Sequence, residues 1–285
     1  MPDRRPIGFF DSGVGGLTVL REVLRRSPRE STVYLGDNAR TPYGQRADDE
    51  VVRFSLQCLD VLAARDVKAI VVACNTSSAV ALPTMRARYD VPIIGVVRPG
   101  ATAAALATRT RRVGVIATQA TVRSRAYFQA IKDENPFVEV YEHATPAFVP
   151  LVEAGRLDGD EVRAEVVAAL APLLGDRTGD GEYVFPLPAD ERIDTLLLGC
   201  THYPLLAPLI AEVAGPDVAV IDSATATAST LAGLLEVNDL AAPGDHDASH
   251  VQLTTGDVAA FERTAGRLFG DLVPAVEPVV LAGAA

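Results

Sequence analysis

AIVVACNTSSAV (69–80) and TLLLGCTHYPLL (195–206) share one arrangement, in which a short apolar run ends at a cysteine and polar residues follow. Apolar runs of this length, bounded by polar residues, are typical of buried strands. The residues after each cysteine have the pattern of a helix, so Cys74 and Cys200 are predicted at the carboxyl ends of strands. Because ligands bind at that edge of an α/β sheet, both cysteines are candidates for a functional site.

The same alternation of strands and helices continues through most of the chain. The predicted strands are 6–10, 32–35, 68–73, 112–116 and 194–198. The predicted helices are 16–26, 48–64, 77–89 with a break at Pro83, 121–132, 161–174 and 224–236. This order predicts an α/β fold in which helices cover parallel or mixed sheets.

The two cysteine segments have matching surroundings, which predicts two similar domains. One strand ends at Asp11 upstream of Cys74, and another ends at Thr118 upstream of Cys200. The separations are 63 and 82 residues, and a longer polar link at 175–193 accounts for most of the difference. We therefore expect two similar three-layer α/β domains related by pseudo-twofold symmetry, with the active site in the interdomain cleft.

The domain boundaries are predicted from this duplication. The first domain is expected to contain residues 1–97 and about 206–249, and the second 98–205 and about 250–285. The link 175–193 is expected to be a surface insertion of the second domain, either a solvated loop or a contact within a homodimer. Its acidic residues are Asp176, Asp180, Glu182, Asp190 and Glu191.

Charge and hydropathy exclude several classes of function. The formal net charge is −11 and no long basic run occurs, which argues against nucleic acid or an anionic membrane as the main partner. Apolar runs are too short to span a bilayer, and the N-terminus MPDRRPIGFF lacks the apolar core of a signal peptide. We expect a cytoplasmic protein whose partner is a small molecule.

The three cysteines do not form a disulfide framework or a metal site by their spacing. Their number is odd and low, and with the four histidines they show no zinc-ligand pattern. Cys58 lies four residues after Phe54 on the apolar face of a predicted helix, so it is interpreted as a core residue. No metal is expected.

The positions of Cys74 and Cys200 suit proton transfer. A thiol beside a helix N-terminus should have its pKa lowered toward neutrality. Two such thiols on opposite sides of a cleft can remove a proton from one face of a carbon and return a proton to the other. The alternative is two ordinary buried cysteines, which the matched contexts ACNT and GCTH disfavour.

Polar residues near the two cysteines are further candidates. Asp11 begins the segment DSGVGG, which lacks the third glycine of a dinucleotide-binding motif and the lysine of a P-loop. Asp11 could instead pair with a substrate ammonium group, or it could be a helix N-cap. His202 could tune the Cys200 thiol or bind substrate. A Cys–His hydrolase is disfavoured because it leaves Cys74 without a role.

These residues occur within longer stretches that resemble the glutamate racemases of bacterial cell-wall synthesis. The stretches cover nearly the whole chain: FFDSGVGGLTVL (9–20), YLGDNARTPYG (34–44), VVACNTSSAVALP (71–83), IGVVRPG (94–100), VIATQATVRSRAY (115–127), FVPLVEAG (148–155) and LLLGCTHYPLL (196–206). The cysteine motifs alone also occur in the broader aspartate/glutamate racemase group.

The resemblance implies a role for each matching residue. Cys74 would abstract the α-proton of D-glutamate and Cys200 that of L-glutamate, with Asp11, His202 and Glu153 as assisting groups. The implied substrate contacts are Asp11, Ser12, Tyr43, Gly44, Asn75, Thr76, Thr118, Thr121, Thr201 and His202. The resemblance implies no cofactor, neither pyridoxal phosphate nor metal, and a product that enters peptidoglycan synthesis.

Three other functions remain open at this point. The chain could be an aspartate or broad-specificity amino-acid racemase, an amino-acid-binding protein without catalysis, or a thiol redox protein. The choice of substrate separates the first from a glutamate racemase, and the behaviour of the two cysteines separates the others.

Overall fold

Two parallel sheets, joined through the helices that cover them, form the frame of the computed structural model, which describes residues 2–177, 183–186, 192–270 and 275–281. The strands are β1 (Ile7–Asp11), β2 (Thr32–Gly36), β3 (Ala69–Val72), β4 (Ile93–Gly95), β5 (Arg112–Ala117), β6 (Glu139–Ala144), β7 (Gly175–Arg177), β8 (Tyr183–Pro186), β9 (Thr195–Gly199), β10 (Ala219–Asp222), β11 (His250–Thr254) and β12 (Val276–Pro278). The helices are α1 (Leu17–Arg26), α2 (Asp48–Ala63), α3 (Asn75–Val80), α4 (Leu82–Arg88), α5 (Val97–Ala107), α6 (Gln119–Ser124), α7 (Ala126–Glu134), α8 (Phe148–Glu153), α9 (Asp160–Leu174), α10 (Ala207–Ala214), α11 (Ser223–Val237) and α12 (Val258–Phe269).

The two cysteine-bearing strands occupy equivalent places in the two sheets. The first sheet has the order β12-β11-β2-β1-β3-β4, and the second has the order β10-β9-β5-β6. When β1 is aligned with β5, the order β2-β1-β3-β4 of the first sheet corresponds strand by strand to the order β6-β5-β9-β10 of the second. Every neighbouring pair in both sets is parallel. The predicted pair of similar α/β domains is confirmed.

Alternation along the central strands explains the three layers of each domain. In β3, Val71 packs into one core cluster and Val72 into another on the opposite face of the sheet. In β9, Leu196 and Leu197 divide in the same way between two further clusters. Because successive side chains of a strand point to opposite faces, an apolar run buried on both faces requires helices on both sides.

The chain crosses between the domains twice, each time after the fourth strand of a set. After β4, helix α5 packs with β5 and β9 of the second domain through Val97, Ala101 and Ala104. After β10, helix α11 packs with α1 of the first domain through Ala228 and Leu231. Since α5 and α11 also contact each other, the two crossings form the junction between the domains.

The sheet pairing corrects two predicted boundaries. The chain was expected to return to the first domain at about 206, but β10 pairs with β9, so it stays in the second domain through Asp222. Residues from about 250 were expected in the second domain, but β11 pairs with β2 and β12 with β11. A strand can add only to a sheet edge, and the first domain offers β2 as an edge.

About half of the predicted insertion 175–193 lies outside the described residues, including Asp180, Glu182, Asp190 and Glu191. Its described part contains β7 and β8, which pair antiparallel. Within the described residues, no helix combines the length and apolar character needed to cross a bilayer.

Candidate active site

A cleft lies where the carboxyl ends of the central strands of both sheets meet. About 610 Å³ of empty space lies in this cleft when its opening to solvent is included. Both domains contribute to its wall, which consists of Ser12, Thr41, Pro42, Tyr43, Gly44, Gln45, Cys74, Asn75, Thr76, Thr118, Gln119, Thr145, Pro146, Val149, Pro150, Cys200, Thr201 and His202. The cleft therefore brings Cys74 and Cys200 to one cavity from equivalent strands.

Cys74 is the N-cap residue of α3, directly after β3. Its sulfur accepts a hydrogen bond from the backbone N–H of Ser77 at 3.5 Å, and its thiol donates to Oγ of Ser12 at 3.5 Å. Asp11, at the end of the neighbouring strand β1, is fully buried behind this pair. One Asp11 oxygen accepts from the N–H of Gly13 at 3.0 Å, and Oδ1 has no hydrogen-bond partner.

The pKa of Cys74 differs from the value expected from its position beside a helix N-terminus. Burial raises the pKa of the Cys74 thiol to about 11, and the Asp11 carboxylate adds to the rise. The hydrogen bonds with Ser77 and Ser12 lower the pKa by less, so the predicted lowering toward neutrality is wrong for Cys74. Burial also raises the pKa of Asp11, against the opposing charge of His202. Both groups therefore hold protons more firmly than in water.

Cys200 has a different set of neighbours. Its sulfur lies 3.8 Å from Nδ1 of His202, and Nε2 of that ring lies 3.3 Å from Oε1 of Glu153 at the end of α8. Burial lowers the pKa of His202, but the hydrogen bonds to Cys200 and Glu153 outweigh it and raise the pKa to about 10. His202 can therefore hold a proton beside the Cys200 sulfur.

The glycine-rich loop after β1 packs against the other domain. A Cβ added to Gly15 would lie 2.5 Å from both Nδ1 of His202 and Oγ1 of Thr201, so only glycine allows this approach. The hydroxyl of Thr18 donates to the carbonyl of Thr201 at 3.1 Å. The glycines of this loop bring the His202 segment against the first domain.

A second contact between the domains lies at the opposite wall of the cleft. A Cβ on Gly44 would lie 2.6 Å from Cβ of Thr118, and the hydroxyls of Thr76 and Thr118 are 3.0 Å apart. The hydroxyl of Thr121 lies 3.0 Å from that of Thr118. These contacts enclose the space in front of the two thiols.

The wall of the cleft holds hydrogen-bonding groups and little formal charge. Among the described residues that line it, His202 is the single basic side chain, and neither Lys nor Arg occurs. An anionic ligand in this cleft would be held by hydroxyls, amides and backbone N–H groups. No group of three or more His, Cys, Asp and Glu side chains in the described part of the chain is placed to hold a metal ion.

Comparison with known proteins agrees with this geometry. Residues 11–181, more than half of the chain, match the family described as Asp/Glu/hydantoin racemase. The chain belongs to this family.

Glutamate racemases are among the relatives that match this chain. The chain is 44% identical to a glutamate racemase of Geobacter metallireducens over 93% of both chains, and 44% identical to one of Exiguobacterium sibiricum over 92% of this chain and 91% of that one. A solved glutamate racemase isoform of Bacillus anthracis is 39% identical and superimposes with a TM-score of 0.89 over 98% of both chains.

A second solved structure contains a ligand. The glutamate racemase of Francisella tularensis, solved in complex with D-glutamate, is 33% identical and has a TM-score of 0.86 over 98% of this chain and 99% of that one. The predicted resemblance is confirmed, and this member of the family is an amino-acid racemase.

Most residues predicted for the racemase site line the cleft, and three lie behind its surface. The three are Asp11, Thr121 and Glu153, which do not line the cavity but contact residues that do: Asp11 acts on Cys74, Thr121 bonds Thr118, and Glu153 bonds His202. Their positions suit an indirect role rather than contact with the ligand.

Sequence reasoning missed part of the wall of the racemase cleft. Thr41 and Gln45 flank the predicted pair Tyr43 and Gly44, and Gln119 follows Thr118 directly, so proximity to the motifs could have identified them. The segment that contains Thr145 and Val149 follows β6, whose exposed residues gave no clear strand pattern. The packing of β6 beside β5 brings that segment into the cleft.

Proposed function

We propose that this racemase interconverts L- and D-glutamate by a two-cysteine, cofactor-independent mechanism. The observation that carries the proposal is that Cys74 and Cys200 follow equivalent strands of two similar domains and line one cleft. The glutamate racemases among its relatives support the choice of substrate. The two thiols account for the reaction because inversion at a carbon needs one base and one acid on opposite faces.

The reaction moves one proton off the α-carbon and another onto it. In the direction from D- to L-glutamate, the Cys74 thiolate takes the α-proton, and the electron pair of the broken C–H bond stays on carbon and its carboxylate. The Cys200 thiol then donates its proton to the other face. Cys74 ends as a thiol and Cys200 as a thiolate, which is the state that the reverse direction requires.

Asp11 and His202 are proposed to assist the two thiols. Cys74 must lose its proton before it can act as a base, and its raised pKa makes a proton acceptor necessary. Asp11 lies in the same buried region, and its own raised pKa brings it closer to that of the thiol. On the other side, His202 carries a proton beside Cys200, and Glu153 holds the ring through Nε2.

The cleft is proposed to hold the two carboxylates of glutamate by hydrogen bonds. The hydroxyls of Ser12, Thr76, Thr118 and Thr201 face a cavity without Lys or Arg among the described residues. Oriented hydroxyl and N–H groups in a cavity with little water stabilise the negative charge that develops as the α-proton leaves. Tyr43, Gly44 and Asn75 are proposed as further contacts, with Asp11 and Thr121 acting from behind the wall.

The cellular role is proposed from the same assignment. A glutamate racemase supplies D-glutamate for peptidoglycan synthesis, which would place this chain in the cytoplasm with a small-molecule substrate. A homodimer is proposed as the assembly.

The proposal is tested by incubating the protein with D-glutamate in deuterated water. Chiral chromatography should show L-glutamate increasing to a one-to-one mixture, since the enantiomers have equal free energy. Proton NMR should show the α-hydrogen replaced by deuterium. If neither L-glutamate nor α-deuterium forms, the chain does not catalyse this reaction, and an amino-acid-binding protein becomes the better description.

Substrate choice is tested in the same assay. D-aspartate, one carbon shorter, should be turned over more slowly than D-glutamate at equal concentration. Faster conversion of aspartate would contradict the glutamate assignment and favour the aspartate or broad-specificity racemase considered from the sequence.

A further inference from the structure

Asn75 presents an unpaired acceptor in the cleft. Its side chain lines the cavity, is 2% exposed, and donates a hydrogen bond from Nδ2 to the hydroxyl of Tyr127 at 2.6 Å. Its Oδ1 is buried and has no hydrogen-bond partner. A buried amide oxygen without a partner is costly, so a ligand in the cleft is the natural source of the missing donor.

Tyr127 reaches Asn75 from the other domain. It lies in α7 with no exposed surface, whereas Asn75 begins α3. The Tyr127 hydroxyl also lies near the side chain of Ser223, the first residue of α11. Its hydrogen bond to Asn75 joins the two domains beside one of the two chain crossings.

In the structure, the Tyr127 hydroxyl accepts a hydrogen bond from Nδ2, which leaves Oδ1 as the free end of the Asn75 amide. An amide carries donors on nitrogen and an acceptor on oxygen, and rotation by 180° would exchange them. With Nδ2 held by Tyr127, the free group is the oxygen, which can accept but cannot donate. The carboxylates of an amino acid are acceptors, so the ammonium group is the part that this oxygen can bind.

We propose that Tyr127 is a positioning residue for recognition of the substrate ammonium group, because it orients Asn75 so that Oδ1 is the free group. This inference rests on the proposed function for the identity of the amino acid. It adds a residue that neither touches the reacting carbon nor lines the cleft. The phenol acts through the amide of Asn75.

The test compares Tyr127→Phe with Tyr89→Phe. Both variants remove one phenolic hydroxyl and keep the ring, but the hydroxyl of Tyr89 bonds Leu56 and Asp60 far from the cleft residues. Calorimetric titration with racemic glutamate measures affinity without net turnover. We expect Tyr127→Phe to weaken binding about tenfold, because a charge-assisted hydrogen bond loses its geometry, and Tyr89→Phe to bind as the unaltered protein does.

Binding of glutarate, and the effect of Tyr127→Phe in an Asn75→Ala background, distinguish a positioning role of Tyr127 from a general loss of structure. Glutarate has the same two carboxylates and no ammonium group, so its affinity should change less than twofold in Tyr127→Phe. In an Asn75→Ala background, adding Tyr127→Phe should weaken glutamate binding by less than a further twofold. Thermal unfolding of each variant confirms that it is folded.

Three results would overturn the inference. The first is an equal loss of affinity for glutamate and glutarate in Tyr127→Phe, and the second is an undiminished tenfold effect in the Asn75→Ala background. The third is unaltered glutamate binding in Tyr127→Phe. Because the titration does not depend on turnover, a protein that binds glutamate but does not racemise it would contradict the proposed function and leave this test valid.

Discussion

The two cysteines occupy equivalent backbone positions and have different chemical surroundings. Cys74 lies beside the hydroxyl of Ser12, with the buried carboxyl group of Asp11 behind it. Cys200 lies beside the imidazole of His202, which is held by Glu153. The duplicated fold therefore accounts for two thiols at one cleft, whereas the groups beside each thiol are different.

This difference has a chemical consequence. A carboxyl group with a raised pKa can remove a proton from Cys74, and a protonated imidazole can supply one beside Cys200. In the proposed mechanism, the two cysteines exchange the roles of base and acid between the two directions of turnover, so each cysteine needs its own proton-transfer partner.

The largest effect is expected from Cys74→Ser and Cys200→Ser. Each should lower racemisation at least about a thousandfold, because a serine hydroxyl is too weak an acid to replace the thiol. In deuterated water, Cys74→Ser should still exchange the α-hydrogen of L-glutamate through Cys200, and Cys200→Ser that of D-glutamate through Cys74. NMR of each enantiomer after incubation measures this exchange.

Cys58→Ala is the matched control for these variants. Cys58 lies in α2, where it is buried in the core and does not line the cleft, so racemisation should be retained. Racemisation at the unaltered rate by Cys74→Ser would contradict the two-cysteine mechanism and favour a thiol redox role. Exchange of both enantiomers by one variant would contradict the assignment of each cysteine to one face.

A smaller effect is expected from Asp11→Asn. The Asp11 carboxylate raises the pKa of Cys74, so its removal should lower that pKa and let the thiolate form at lower pH. Alkylation of Cys74 by iodoacetamide across a pH series, followed by peptide mass spectrometry, measures the midpoint. Racemisation should fall about a hundredfold because the proton acceptor is lost.

His202→Asn provides the comparison for that experiment. It should also slow racemisation, but the alkylation midpoint of Cys74 should stay close to that of the unaltered protein. A shift to higher pH in Asp11→Asn, or an equal shift in both variants, would contradict separate surroundings for the two thiols.

The smallest effect on catalysis is expected from a substitution at the start of one of the two cysteine-bearing strands. Lys68 precedes β3 and pairs with buried Glu30 at 2.6 Å, whereas Asp194 precedes β9 and accepts from the backbone N–H groups of Arg109 and Thr110 at 2.6 and 2.8 Å. Asp194→Ala should lower the free energy of unfolding by about 2 kcal/mol at pH 7, since these donors lose their acceptor. Racemisation per folded molecule should be unchanged.

The pH dependence of this stability effect has a defined sign. Burial opposes ionisation of Asp194, but hydrogen bonds from Thr108, Thr110 and Arg109 outweigh it and lower its pKa. A lowered folded pKa stabilises the protein above the unfolded value of about 4 and loses that effect as the pH falls through the folded value. Urea unfolding should show the deficit of Asp194→Ala shrinking below about pH 4, and a constant deficit would contradict this account.

Local patterns predicted much of the fold. The break predicted at Pro83 corresponds to the division between α3 and α4, because proline suits the first turn of a new helix. The helix predicted at 121–132 is instead two helices, since Arg125 adopts a left-handed conformation with φ of 57°. No residue in that stretch signals a break, because neither glycine nor proline is present.

The short strands β4 and β10, and the strands β11 and β12 at one side of the first sheet, were not predicted. Their apolar runs are brief, and their places depend on pairing with strands far away in the sequence, as when His250 aligns with Thr32. For the same reason, the return of the chain to the first domain could not be located from local residue types.

The sequence by itself determined two strand–cysteine units, a duplicated α/β fold and the membership of the racemase family, because these depend on short-range patterns and on motifs that can be read directly. Tertiary structure decided which distant groups approach each thiol. Burial and the approach of Asp11 raise the pKa of Cys74, and the approach of Glu153 fixes His202 beside Cys200. Desolvation and contacts between distant segments control these properties, and neither is encoded in the residues next to the cysteines.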